Sequence, residues 1–424
     1  MVLAFRRCRP TAPRSGRLTS RIALVCQALP PSVAAQATLV RRLLRPLPPE
    51  RYRLIAAAAA ISHYAGRGSE PLPADTFVLP AELQLSRGSR FGLLPWRIRI
   101  NLAIAAAARA RRIARILRVE KCDGVVAFTG DLADMIASYL AARRVGARFY
   151  PYVLDDFTFR EVAAAARGVA RGLERRLLRG ATAVVTVNEL MREELVRRHG
   201  VGAIVIHNPC ELDAYDATPP PSGGHSGLRI VYTGSIYDAH YDAFQNLLAA
   251  LETLPGVLPL EIYSDQPEAH LAAHGIVGRL VHHATLPTST VPTVQQAADV
   301  LFLPLAFESP YPEVVRTAAP FKLGEYLAAG RPILVHAPRD SFTAAYFRKH
   351  GCGIVVDEPD RAALRAALER LRDDPTLCER LGQAARRRAE ADFDAHRARE
   401  TFMRVVGIWP RASAAGDRTG DPRG

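Results

Sequence analysis

Ala298–Pro332 reads ADVLFLPLAFESPYPEVVRTAAPFKLGEYLAAGRP. Asp299–Leu305 is an apolar run of strand length, too short for an independent helix. A polar loop follows, and then a short helix with its own start and stop signals. Pro320 suits the first helical position, Gly330 the C′ position, and Pro332 bars continuation. Within that helix Lys322, Glu325 and Tyr326 fall at i, i+3 and i+4 and so share a face. At the mouth of a parallel sheet, such a cation and carboxylate suit a sugar nucleotide, with lysine on phosphate and glutamate on ribose hydroxyls. A surface Lys–Glu pair on an ordinary capped helix fits the same residues, which alone leave both readings open.

Outward from this stretch, short apolar runs alternate with helix-length segments. In the second half strands are expected at Leu228–Thr233, Leu260–Ser264, Leu280–His283, Val300–Leu305, Pro332–His336 and Gly353–Asp357. In the first half the runs are Arg21–Ala28, Tyr52–Ser62, Gly124–Thr129, Ala147–Leu154 and Ala183–Asn188, with helices over Ile98–Val119 and near Leu132–Arg144. Such alternation marks a mostly parallel α/β sheet. Between the halves, Ala214–Gly227 (AYDATPPPSGGHSG) is the clearest linker. Pro359–Arg372 and Pro375–Arg399 read as final amphipathic, basic helices.

At 424 residues the chain exceeds one ordinary core, so two domains of roughly 200 residues are the default. No stretch approaches the ~18 uninterrupted apolar residues of a membrane helix. Six cysteines without a CxxC spacing or a secretory signal argue for a reduced, cytoplasmic chain. Residues 1–213 hold 34 Lys and Arg against 17 Asp and Glu, whereas the remainder holds 22 against 25. The net charge of +14 is therefore carried by the first half. Its basic helices, Arg97–Lys121 (with Arg109, Arg111, Arg112, Arg115 and Arg118) and Val162–Arg179, suit an anionic lipid surface or a solvated face. Nothing resembles a nucleic-acid-binding motif. His270 and His274, and the adjacent His282 and His283, fit no common metal spacing, so no metal is expected.

PFKLGEYLAAGRP resembles the donor-site helix of group 4 GT-B glycosyltransferases, in the variant Lys-x-x-Glu-Tyr-x-Ala-x-Gly-x-Pro. The resemblance covers roughly residues 21–405. It implies a GT-B architecture, two Rossmann-like α/β domains facing each other across a cleft, and retaining transfer from a nucleoside-diphosphate sugar without metal or cofactor. The implied organisation is a basic disordered tail (1–20), an acceptor domain (21–213), the linker (214–227) and a nucleotide-sugar domain (228–395). A helix (396–410) crosses back to the first domain, and a disordered tail (411–424) ends the chain.

The resemblance also distributes roles. Lys322 meets the diphosphate and Glu325 the ribose. In Tyr232–Ile236, Gly234 and Ser235 form the first donor-domain loop, where a bare backbone can approach the leaving group; a plain turn glycine reads equally well. Glu308 stands where a first glutamate would lie if the loop carried an insertion, since Thr317 occupies the usual position. Ser32, Ala35 and Gln36 lie in the acceptor and diphosphate loop, which has Ala34 and Ala35 where the family has adjacent glycines. The Arg and Lys that commonly follow the Gly234 loop are missing from Ile236–His240, which concentrates leaving-group charge on Lys322, with Arg316 or His240 as helpers. Asp155 and Asp156, at a strand's carboxyl end, are candidates to orient an acceptor hydroxyl or take its proton; a helix N-cap accounts for one of them equally.

These departures keep two alternatives open: a catalytically degenerate nucleotide-sugar-binding or scaffold protein, and another GT-B enzyme such as a nucleotide-sugar epimerase. The expected partners are a nucleotide-sugar donor, a saccharide or lipid-linked acceptor and an anionic membrane surface, not nucleic acid.

Overall fold

The computed structural model describes residues 20–32, 34–58, 70–80, 94–155, 167–216 and 227–408. Asp156, most of the linker and the two tails lie outside these residues.

Two parallel sheets form, one in each half. The first contains β1 (Ile22–Val25), β2 (Tyr52–Ala57), β3 (Thr76–Leu79), β4 (Gly124–Phe128), β5 (Arg148–Val153), β6 (Val185–Thr186) and β7 (Ile204–Val205), in the order β3-β2-β1-β4-β5-β6-β7. The second contains β8 (Ile230–Thr233), β9 (Leu260–Tyr263), β10 (Leu280–His283), β11 (Val300–Pro304), β12 (Ile333–His336) and β13 (Ile354–Val356), ordered β10-β9-β8-β11-β12-β13. Each order reverses direction after its first strand, which opens a crevice at the carboxyl ends of the strands where α/β proteins bind ligands.

The central strands β1, β4, β8, β11 and β12 are buried along their whole length because both sheet faces are covered there. Ile22 and Leu24 enter one core and Ala23 and Val25 the opposite one. In β11, Leu301 and Leu303 likewise part from Val300 and Phe302. This period of two follows from the pleat. Strand β3 was not anticipated: its burial is weak, with Val78 52% exposed, and its four residues offer little pattern. The expected run to Ser62 ends as a strand at Ala57.

Helix Phe321–Ala329 begins one residue later than expected. Pro320 is its N-cap with extended backbone (ψ 137°), and Gly330 closes it at φ 66° in the left-handed region open to glycine. The expected single helix Pro375–Arg399 is three pieces: helix Pro375–Arg388, a π turn over Ala389–Phe393 and helix Ala395–Val406. Asp394 restarts the chain by accepting from the His396 amide. The last helix packs on helix Ala35–Leu44 and delivers Ala398, Phe402 and Val406 to the first half's core.

Several contacts join the halves. Asn188, just beyond β6, donates to the Thr317 carbonyl at 2.9 Å, and Asn208 donates to the Ala319 carbonyl at 2.8 Å. Arg42 pairs with Glu325 at 2.6 Å, and Arg316 pairs with Glu194. Because β6 and β11 both lead into this seam at their carboxyl ends, the ligand-binding edges of the sheets face each other.

Candidate active site

Strand β8 ends at Thr233, and Gly234 turns the chain at φ +123°, its amide donating to the Tyr263 carbonyl at 2.9 Å. Lys322, in the first turn of helix Phe321–Ala329, reaches across this loop. A Cβ on Gly234 would lie 3.2 Å from both Cε and Nζ of Lys322. Glycine is required here twice over, by its dihedral and by the lysine. Gly234→Ala is expected to push the ammonium aside and weaken the binding of a diphosphate there by about 10-fold, with little loss of secondary structure; calorimetric titration of the two proteins with a nucleoside diphosphate checks it.

The Lys322 ammonium hydrogen-bonds the Tyr232 hydroxyl and lies 4.0 Å from the centre of that ring. The Tyr232 hydroxyl donates onward to the Ser235 carbonyl at 2.7 Å. Burial pulls the lysine down to about 7, against the attraction of Glu325 and Asp265. It is a cation held with little compensating charge, the state in which an arriving diphosphate gains most. His240 is buried beside it and, through burial first and Lys322 second, held well below 6.5. The imidazole is neutral at pH 7 and adds no charge. Arg316, the other expected helper, is turned toward Glu194 in the first half.

Glu325 shares its helix with Lys322 but faces a different partner. Its Oε1 takes the Arg42 guanidinium, which is 8% exposed and also donates to the Pro209 carbonyl at 2.7 Å. No hydrogen bond engages Oε2 among the described residues, which leaves one carboxylate oxygen to accept a hydroxyl. Tyr326 is buried and its hydroxyl accepts from the Thr233 amide at 2.9 Å, fixing the helix to the end of β8. Glu308 is exposed; its amide and that of Phe307 donate to Asp242 Oδ2 at 2.7 and 2.8 Å. Asp242, in the first turn of helix Tyr241–Leu251, thereby holds this loop in place.

On the facing sheet, Gln36 is used up structurally. Its Oε1 accepts from the Gln27 and Ala28 amides at 2.7 and 2.8 Å, and its Nε2 donates to the Thr129 carbonyl at 3.0 Å. Thr129 in turn accepts the Leu154 amide at 2.9 Å. The loop after β1 is thus stitched through β4 to the turn that carries Asp155. Ser32 is buried and its Oγ accepts from the Ala34 amide at 3.1 Å. Helix Ala35–Leu44 has no side-chain cap, so among the described residues Ala35 and its neighbours offer unclaimed first-turn N–H groups. Asp155 is part-buried at the carboxyl end of β5, and Asp156 lies outside the described residues.

Arg109, counted with the basic face of its helix, is instead buried against Asp131 and Asp134 at 2.5 and 2.7 Å. Arg111, Arg112, Arg115 and Arg118 remain exposed. The contacts of Arg42 with Glu325 and of Asp242 with the Glu308 loop were not foreseen, because nothing local distinguishes either residue from other core or surface positions.

The family model for glycosyl transferases group 1 matches residues 260–388, and that for glycosyltransferase family 4 matches residues 65–214. No curated protein matches the sequence. Among solved structures, the chain resembles HepE of Anabaena in complex with UDP-glucose (14% identity, TM-score 0.64, 92% of this chain and 100% of that one). It also resembles sucrose-phosphate synthase of Thermosynechococcus elongatus (16%, 0.62, 92% and 98%) and a glycosyltransferase of Rickettsia africae (13%, 0.61, 92% and 98%).

Proposed function

We propose that this chain, which belongs to the GT-B glycosyltransferases, moves a sugar from a nucleoside-diphosphate donor to an acceptor hydroxyl with retention at the anomeric carbon, as a group 4 type enzyme. The observation that carries the reading is the Lys322 ammonium, poised over Tyr232 beside the bare Gly234 backbone at the carboxyl ends of β8 and β11. The UDP-glucose in the HepE structure supports a nucleotide sugar as donor.

In this reading residues 228–395 hold the donor and residues 21–213 the acceptor. Lys322, rather than a metal ion, meets the diphosphate as the bond from the anomeric carbon to its oxygen breaks. Glu325 Oε2 accepts a ribose hydroxyl while Arg42 fixes the carboxylate through Oε1. Gly234 and Ser235 border the diphosphate, Glu308 closes the sugar side, and the first-turn amides after Ser32 approach it from the opposite domain. Asp155 or Asp156 orients the acceptor hydroxyl and takes its proton as the new bond forms. A saccharide or lipid-linked acceptor fits a role in polysaccharide or glycolipid assembly. The exposed arginines of helix Leu94–Val119 would rest on the inner, anionic face of a membrane; no described helix is long and apolar enough to cross one.

A panel of UDP-, GDP- and dTDP-sugars tests the reading by thermal shift. At 100 times its Kd the right donor is expected to stabilise the protein by about 2.7 kcal/mol, and Glu325→Gln to weaken that donor by about 10-fold through one lost charge-assisted hydrogen bond. A panel without any shift sinks the reading. Binding without turnover favours the degenerate alternative.

A further inference from the structure

Beyond β11 the chain is tied down residue by residue. The Leu305 amide donates to the His336 carbonyl at 2.9 Å, and the Ala306 amide to the Ala239 carbonyl at 2.7 Å. Ala239 directly precedes His240, which is buried beside Lys322, so this loop borders the surroundings of the lysine. Phe307 is pinned through its ring, whose centre lies 4.6 Å from that of His336. His336 is itself fixed: Nδ1 donates to the Val356 carbonyl at 2.9 Å, which leaves Nε2 to accept from Asn246 at 3.3 Å. Burial holds the imidazole at about 4, so this support is neutral at pH 7.

Asp242 takes the next two amides on a single oxygen. Its Oδ2 accepts from Phe307 at 2.8 Å and from Glu308 at 2.7 Å, distances typical of charge-assisted bonds. An acid in the first turn ordinarily serves the positive end of its own helix. This one is also spent on a loop 65 positions further along the chain. Burial raises its carboxyl, and the Glu308 and Phe307 amides are what oppose that rise most. The arrangement fixes the backbone of Glu308 and leaves its side chain exposed, with no hydrogen bond or ion pair among the described residues. A rigid backbone carrying an uncommitted carboxylate is the form of a ligand-orienting group, because little ordering remains to be done when a hydroxyl arrives.

We propose that Asp242 is a positioning residue for the donor's sugar. By fixing the Phe307 and Glu308 amides it sets the Glu308 carboxylate to accept hydroxyls of the transferred sugar, while Lys322 and Glu325 hold the nucleoside diphosphate. The role rests on the glycosyltransferase reading, in which Glu308 closes the sugar side. It divides the work of the second half: Asp242 governs the grip on the sugar and leaves the grip on the nucleotide alone.

The test uses the full chain and calorimetric titration with UDP-glucose, GDP-mannose and dTDP-glucose, each beside its own nucleoside diphosphate. Asp242→Ala is expected to weaken the preferred sugar nucleotide by about 10-fold, the order of one charge-assisted hydrogen bond, and to change the diphosphate less than about twofold. Asp242→Asn keeps an oxygen that accepts both amides and is expected to restore most of the affinity. Glu308→Gln should reproduce the loss, and the double variant Asp242→Ala with Glu308→Gln should bind no worse than the weaker single one, since the two residues act in series. Equal weakening of sugar nucleotide and diphosphate, unchanged binding of both, or additive losses in the double variant overturns the role. Where Asp242→Ala does not fold, Asp242→Ser carries the same comparison; if neither folds, the carboxylate belongs to the fold and the proposal falls. A wild type that binds none of the sugar nucleotides or diphosphates removes the glycosyltransferase reading and this role with it, whereas normal diphosphate binding with sugar binding indifferent to Asp242 removes this role alone.

Discussion

Lys322→Met is expected to lower glycosyl transfer by roughly 10²–10³-fold, about 3–4 kcal/mol of transition-state stabilisation, while the protein melts at the same temperature or higher. The two effects have one cause. The ammonium is held in a site that burial disfavours, with its pKa down to about 7, and methionine of similar length fills that space without a charge to desolvate. In the proposed mechanism activity falls because neither expected helper among the described residues adds charge there: His240 is neutral and Arg316 is turned to Glu194. A thermal melt beside a turnover assay checks both halves, and unchanged turnover removes Lys322 from the site.

The same lysine predicts a donor affinity that depends on pH. A diphosphate binds the protonated form, so bound donor raises the lysine's pKa above its value in the free protein. Below pH 7 the free protein already carries the proton, and donor affinity is flat. Above pH 7 binding must take up a proton, and Kd rises by up to about 10-fold per pH unit. Titration of donor between pH 6 and 9 shows this slope in the wild type, and Lys322→Met lacks it.

Gly382→Ala is expected to produce the largest loss of stability, about 3 kcal/mol at the upper end of overpacking costs, or a fall in Tm on the order of 5–10 °C. Helix Pro375–Arg388 crosses the carboxyl end of helix Phe321–Ala329 so closely that a Cβ on Gly382 would lie 2.3 Å from the Gly330 carbonyl oxygen. The obstacle is backbone, so no side-chain rotation relieves it, and helix Phe321–Ala329 itself must shift. Donor affinity should drop together with Tm. Gly202→Ala, where an added Cβ meets nothing within 4 Å, serves as the control and is expected to be near neutral.

Much of this architecture was legible in the chain because it is written locally. The central strands are covered on both faces and so appear as apolar runs, and Val300–Leu305 was read to within one residue of its last member; the edge strand Leu280–His283 was read to its ends. The Gly330 stop and the Lys322, Glu325, Tyr326 face are consequences of helical geometry that need no partner to be read. Strand β3 and the break after Arg388 escaped because a four-residue half-exposed strand and a π turn carry almost no periodic signal.

Sequence by itself determined two parallel α/β halves and the residues that lie at i, i+3 and i+4 on helix Phe321–Ala329, since periodicity and helix termini are properties of consecutive residues. Only the tertiary structure decided what that face meets. Tyr232, 90 positions away, receives the Lys322 ammonium, and Arg42, from the opposite half, holds Glu325. Charge state and orientation depend on burial and on partners distant in the chain, and neither has a local spacing to betray it.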